Sequence, residues 1–124
     1  MIYVAIDGDD GGRKLASSYL ANRVENLKAT KDLIDLKTRQ ISELLLSLGY
    51  DVLFCAADGV TGALKEDQID TLSLYQKVAL IGGDDISFSI GVGNSLRESY
   101  VALLYAKSTG KARACNFSSI GKDV

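Results

Sequence analysis

A chain of 124 residues, 47% hydrophobic and 24% charged, fits one domain with its own core, and no window approaches the roughly eighteen consecutive apolar residues of a membrane span. Fourteen Lys and Arg against sixteen Asp and Glu leave a net charge of -2, the wrong footprint for a protein that neutralises many phosphates of a long nucleic acid. The complete absence of histidine excludes Ser-His-Asp and Cys-His nucleophiles and every His metal site. Cys55 and Cys115 cannot complete a structural zinc site by themselves and read as small core hydrophobes. The N-terminus has neither the basic region nor the long apolar stretch of a secretory signal, so a cytoplasmic location is expected.

Residues 1–6, Met-Ile-Tyr-Val-Ala-Ile, are a near-continuous apolar run bounded by Asp7-Gly8-Asp9-Asp10-Gly11-Gly12, and predict a buried central strand ending in an acidic, glycine-rich loop. Over residues 13–29, Leu15, Tyr19, Leu20, Val24 and Leu27 keep a helical period. A second helix follows almost directly, with Leu33, Ile34, Ile41, Leu44, Leu45 and Leu48 as its apolar stripe and Gly49 as its stop. Residues 50–55 and 60–64 predict a hairpin around the turn Ala56-Ala57-Asp58-Gly59. Residues 66–80 read as a helix that breaks at Gly82-Gly83-Asp84-Asp85. In the next strand, residues 86–92, Ile86, Phe88, Ile90 and Val92 alternate with Ser87, Ser89 and Gly91. Ser95-Leu96-Arg97-Glu98 is a capping box opening a helix through Tyr100, Leu103 and Leu104 that Gly110 closes. Residues 111–117 predict an edge strand, and residues 118–124 a flexible tail after a single domain spanning 1–117.

The order βααββαβαβ contains the split βαβ arrangement of ferredoxin-like folds. The expectation is an α+β domain with a central antiparallel or mixed sheet and helices on one main face. Right-handed crossovers put the first strand in the middle, which brings Asp7, Asp58, Asp84 and Asp85 to one sheet edge. A carboxylate ending a buried strand costs free energy unless a cation or donor answers it, and oxygen ligands there suit Mg²⁺ or Mn²⁺. The glycines after Asp7 let backbone amides approach an anion before a helix N-terminus. The plain alternative is a solvated turn with an N-cap aspartate. Lys107, in a last helical turn, either offsets the helix dipole or binds phosphate.

Three stretches, Val-Ala-Ile-Asp7-Gly-Asp-Asp, Phe88-Ser-Ile-Gly91-Val and Ala102-Leu-Leu-Tyr-Ala-Lys107-Ser-Thr-Gly110-Lys, resemble landmarks of the palm domain shared by GGDEF diguanylate cyclases and the CRISPR polymerase subunit. With one palm and no zinc ribbon, nuclease or sensor domain in the sequence, the resemblance is closest to the minimal CRISPR polymerases, stand-alone palms associated with anti-phage defence. The resemblance implies that Asp7, Asp58 and Gly8 hold the metal, with Asp7 and Asp58 catalytic. It also implies that Gly8, Asp9, Asp10, Gly11 and Gly12 receive a triphosphate and that Lys107 holds phosphate. Asp58 stands in the hairpin turn where the family has two acids, and here one of them is missing. A literal Gly82-Gly83-Asp84-Asp85 sits before the Ser-Ile-Gly strand, away from that hairpin, so Asp84 and Asp85 are the secondary candidates.

Where diguanylate cyclases hold guanine with an asparagine and an aspartate, this sequence has Leu15 and Val24, so adenine is the expected base. The implied activity is metal-dependent joining of ATP into a cyclic di- or oligoadenylate with release of pyrophosphate. A single palm presents one nucleotide, so a homodimer is expected, with a separate effector responding to the product and neither long nucleic acid nor membrane as partner. Two other readings compete: a palm that binds nucleotides without catalysis, and a phospho-accepting receiver domain. The receiver needs a strand between its first two helices, where residues 11–49 offer two helical patterns in succession.

Overall fold

The computed structural model describes residues 1–121; positions 122–124 of the expected tail lie outside the described residues. In chain order the elements are β1 (Ile2–Gly8), α1 (Gly11–Leu20), α2 (Val24–Ser47), β2 (Asp51–Ala56), β3 (Gly59–Leu64), α3 (Thr71–Gly82), β4 (Phe88–Gly93), α4 (Leu96–Ser108), β5 (Ala114–Asn116) and a 3-10 turn at Phe117–Ser119. This is the order read from the sequence. The strands form one mixed sheet, β2-β3-β1-β4-β5. β1 is central and antiparallel to both neighbours, and β5 joins β4 in parallel. No helix among the described residues is long and apolar enough to cross a membrane.

Element ends moved where backbone geometry overrode periodicity. α1 stops at Leu20 instead of continuing towards residue 29, because Asn22 turns into the left-handed region at φ 55°, which asparagine tolerates better than most residues. Arg23 N–H to Ser18 O at 2.9 Å and Ser18 Oγ to Asn26 Oδ1 at 2.8 Å fasten that turn. α2 therefore starts at Val24, and Tyr19, Leu20 and Val24, expected on an apolar face, are exposed. α3 starts five residues later than residue 66 because Asp70 caps it, accepting from Ser73 N–H at 3.0 Å.

Alternation along β1 sorts the molecule into two layers. Ile2, Val4 and Ile6 pack with Ile34, Ile41 and Leu45 of α2, Leu74 and Val78 of α3, and Phe88, Ile90 and Val92 of β4. The alternate positions Tyr3, Ala5 and Asp7 face the other way. α1 to α3 occupy the main face, and α4 covers the opposite one. α4 lies so close to β4 that a Cβ on Gly91 would stand 2.1 Å from Ser99 O; only glycine leaves the room. Cys55 is exposed rather than in the core, because β2 is an edge strand on which only Val52 is even partly covered. Cys115, on β5, is half-buried.

Candidate active site

Asp7 ends the central strand, opposite Gly59 of β3 and Ser89 of β4. The pairing with Gly59 matters, since a Cβ there would come within 3.3 Å of Asp7 Oδ1. The β2–β3 turn is closed by Ala57 in the left-handed region at φ 52°, and it is tied to the loop after β1 by Gly8 N–H to Asp58 O at 3.0 Å. The Asp58 carboxylate lies over that loop. Cβ atoms on Gly8 and Gly11 would stand 3.1 and 3.0 Å from its Oδ2, so those glycines make the space it occupies. Burial first, and the Asp58 charge second, hold the Asp7 carboxyl above the usual carboxylate range, with Lys107 pulling the other way.

Lys107 reaches this edge from α4. Its ammonium donates to Gly8 O at 2.8 Å and lies 3.1 Å from both Asp9 Oδ1 and Asp7 Oδ2. A lysine has three N–H donors, and these three oxygens take all of them. Burial works against its charge, but Asp7 and Asp9 outweigh burial and raise its pKa above the ordinary lysine value.

Asp9 is buried, and four donors converge on its carboxylate. Ser87 Oγ and Ser89 Oγ each donate at 2.8 Å, Ala112 N–H at 3.0 Å and Lys107 at 3.1 Å. Burial alone would push its pKa up; the two serines, the amide and the lysine reverse that and lower it. Its own N–H goes to Ser87 O at 2.9 Å. Asp9 thus ties β4 and the α4–β5 connection to the loop after β1. Asp10, at φ 59°, pairs with Lys111 at 2.6 Å.

Past Asp10 the chain enters α1 without a side-chain cap. Lys14 N–H returns to Asp10 O, while the amides of Gly11, Gly12 and Arg13 have no acceptor among the described residues. Orphan donors at a helix N-terminus form an anion site, and here they open beside the Asp58 carboxylate. The structure therefore brings together Asp7, Gly8, Asp58, the start of α1 and Lys107. It does not bring in Asp85, whose carboxylate lies 4.0 Å from Lys37 Nζ of α2 and whose carbonyl accepts from Lys14. Ser87, Ser89 and Lys111 escaped the sequence reading. Ser89 on β4 and Ser87 just before it keep the period-two alternation that Gly91 continues, which is the only signal they gave.

Asp7, Asp58 and the Gly8 carbonyl are an all-oxygen donor set of the kind Mg²⁺ and Mn²⁺ take. No cluster of three or more His, Cys, Asp or Glu side chains arranged to hold a metal occurs among the described residues. Two carboxylates suffice where substrate phosphates complete the shell, the usual manner of Mg²⁺. The residues present fit the ion.

A family model of the minimal CRISPR polymerase domain (mCpol) matches residues 3–117. A search of curated proteins gave no match. Among solved structures the chain is similar to the active GGEEF domain of a diguanylate cyclase from Vibrio cholerae, at 15% identity and a TM-score of 0.65, covering 94% of this chain and 81% of that one. It is also similar to an EAL/GGDEF domain protein from M. capsulatus, at 22% identity and a TM-score of 0.63, covering 94% and 83% of the two chains. These likenesses establish a palm fold shared with GGDEF domains.

Proposed function

Starting from the fact that the chain belongs to the minimal CRISPR polymerase family, we propose that it is a metal-dependent nucleotidyltransferase that joins ATP into a cyclic di- or oligoadenylate and releases pyrophosphate. The observation that carries this is the juxtaposition of Asp7 and Asp58 with the unoccupied amides of Gly11, Gly12 and Arg13. Carboxylates for a cation and donors for a triphosphate meet at one sheet edge. Bound by Asp7, Asp58 and the Gly8 carbonyl, Mg²⁺ or Mn²⁺ would neutralise the triphosphate and acidify the attacking ribose hydroxyl, so a chain without histidine has no need of an imidazole base. The α1 amides orient the phosphate oxygens in line with the helix dipole. Lys107 places positive charge on the α4 side of the same space. The antiparallel pairing of β1 with both neighbours is incompatible with the parallel sheet of a receiver domain.

Ring closure needs two nucleotides, and one palm presents one, so the working unit is a homodimer with two sites facing each other. The product would act on a separate effector, in keeping with a role in cytoplasmic anti-phage defence. The test is incubation of purified protein with each NTP and Mg²⁺ or Mn²⁺, with products identified by mass spectrometry over a range of protein concentrations. ATP alone is expected to give cyclic product, with specific activity falling on dilution. Equal or better turnover of GTP alone would remove the adenine preference. Nucleotide binding without product from any NTP would leave a non-catalytic palm.

Lys107→Ala is expected to lower kcat/KM by roughly tenfold or more, because it removes the ammonium that fixes Asp7 and the Gly8 carbonyl, a charge-assisted contact being worth about 1.5–3 kcal/mol. It should also lower Tm, because the buried Asp9 loses its counter-charge. Steady-state kinetics and thermal melts on the same preparation separate the two effects. A lower Tm with unchanged kinetics would make the lysine purely structural.

A further inference from the structure

A groove of about 340 Å³ runs from Asp7 and Lys107 along the α4 face, walled by Phe54 and Thr61 on the hairpin side and by Tyr100 and Leu104 on the helix side. Its aromatic wall depends on an irregularity in β2. Val52 pairs with Gly62, yet Phe54 pairs with Thr61, so one extra residue, Leu53, is accommodated between them. In a regular ladder, side chains two apart share a face, and Phe54 would follow Val52 onto the main face, where Val52 packs against the core. The bulge re-aims it, as bulges beside active sites do. Phe54 forgoes burial and stands 56% exposed on the same face as Tyr100, itself 58% exposed.

The charge along the groove is one-sided. Asp7 and Lys107 lie at one end, and no other charged side chain lines it among the described residues. The occupant that fits has a flat, neutral, apolar part and an anionic tail. We propose that the groove holds the purine base of the substrate nucleotide, stacked on Phe54 with Tyr100 as the second wall, while its phosphates lie between Lys107 and the start of α1. This rests on the nucleotidyl-transfer reading and deepens it by giving the base a place. On the α1 side, Leu15 is packed against the core and Val24 is exposed, so neither forms a wall for a base. Lining the groove with the aromatic rings of Phe54 and Tyr100 and the hydroxyls of Thr61 and Tyr100, without a carboxylate or amide side chain away from Asp7, the chain grips a base by stacking, which every purine offers.

The probe is 2-aminopurine riboside triphosphate, whose fluorescence is quenched on stacking, titrated against the full chain with Ca²⁺ as a non-turnover cation. Wild type is expected to quench it. Phe54→Ala should lose the quench and bind about tenfold or more weakly, the scale of one base–aromatic stack, at unchanged Tm because the ring is exposed. Phe54→Trp should restore both. Wild-type quenching and affinity in Phe54→Ala, in a chain that still turns over ATP, would overturn the groove assignment and leave the nucleotidyl-transfer reading standing. Loss of self-association in Phe54→Ala with undiminished binding per chain would assign the groove to a second copy and overturn it as well. Failure of wild type to bind any nucleotide would remove both readings together.

Discussion

Asp7→Ala and Asp58→Ala are each expected to abolish product formation, while Asp84→Ala combined with Asp85→Ala retains measurable activity. Metal-assisted phosphoryl chemistry depends on carboxylates fixed around a shared ion, and charge stabilisation of that kind supplies several kcal/mol, on the order of a hundredfold to a thousandfold in rate. Asp7 is held by the most central strand and Asp58 by a tight turn hydrogen-bonded to the loop after β1. Asp85 is engaged with Lys37 and Lys14 on the main face. Stability moves the other way for one of the two variants. In metal-free protein the Asp58 charge acts against ionised Asp7, so Asp58→Ala should raise Tm. Asp7→Ala removes the same repulsion but also one of the three acceptors of Lys107, and its gain should be smaller or absent. Mass-spectrometric product assays with matched melts test both statements. An inactive Asp84→Ala/Asp85→Ala variant beside an active Asp58→Ala would move the site to the literal Gly-Gly-Asp-Asp.

Asp9→Ala is expected to be the most destabilising single change at this edge, by about 3–5 kcal/mol, the cost of removing one partner from a buried charged pair. Lys107 would lose its buried counter-charge, and the hydroxyls of Ser87 and Ser89 and the Ala112 amide would lose their acceptor. For a domain of this size that corresponds to a fall in Tm on the order of 10 °C or more. Asp9→Asn keeps the shape and one acceptor oxygen while removing the charge that faces Lys107, and should fall between alanine and wild type. Thermal melts of the two variants decide the point. An Asp9→Ala protein as stable as wild type would show that the four hydrogen bonds carry no net stabilisation.

The parts of this protein legible in the sequence are those whose energetics are local. The apolar run of β1 reads as a buried strand because each residue is judged by its own burial. Gly49 marks the end of α2 because its φ of 92° is open chiefly to glycine. Half of the Ser95–Glu98 box forms as read, Glu98 N–H reaching Ser95 Oγ at 3.1 Å, while the Glu98 carboxylate accepts from the amide of Asn94, one residue before the cap, instead of from Ser95. Even the gathering of Asp7 and Asp58 at one edge followed from element order and crossover handedness, whereas the same reasoning brought Asp84 and Asp85 there too, and only the structure engages Asp85 with Lys37 and Lys14 instead.

The tertiary structure decided what depends on partners far along the chain. The donors to Asp9 come from 78, 80, 98 and 103 residues away, so Asp9 looked like one more acid in a phosphate loop when it is the buried knot of that edge. For Lys107 the tertiary structure adds partners that the sequence does not show, oxygens of Asp7, Gly8 and Asp9, none nearer than 98 positions in sequence. The bulge that turns Phe54 onto the α4 face leaves no local mark either, because a strand's pairing register is set by its neighbour and a one-residue slip reverses the face of every side chain beyond it.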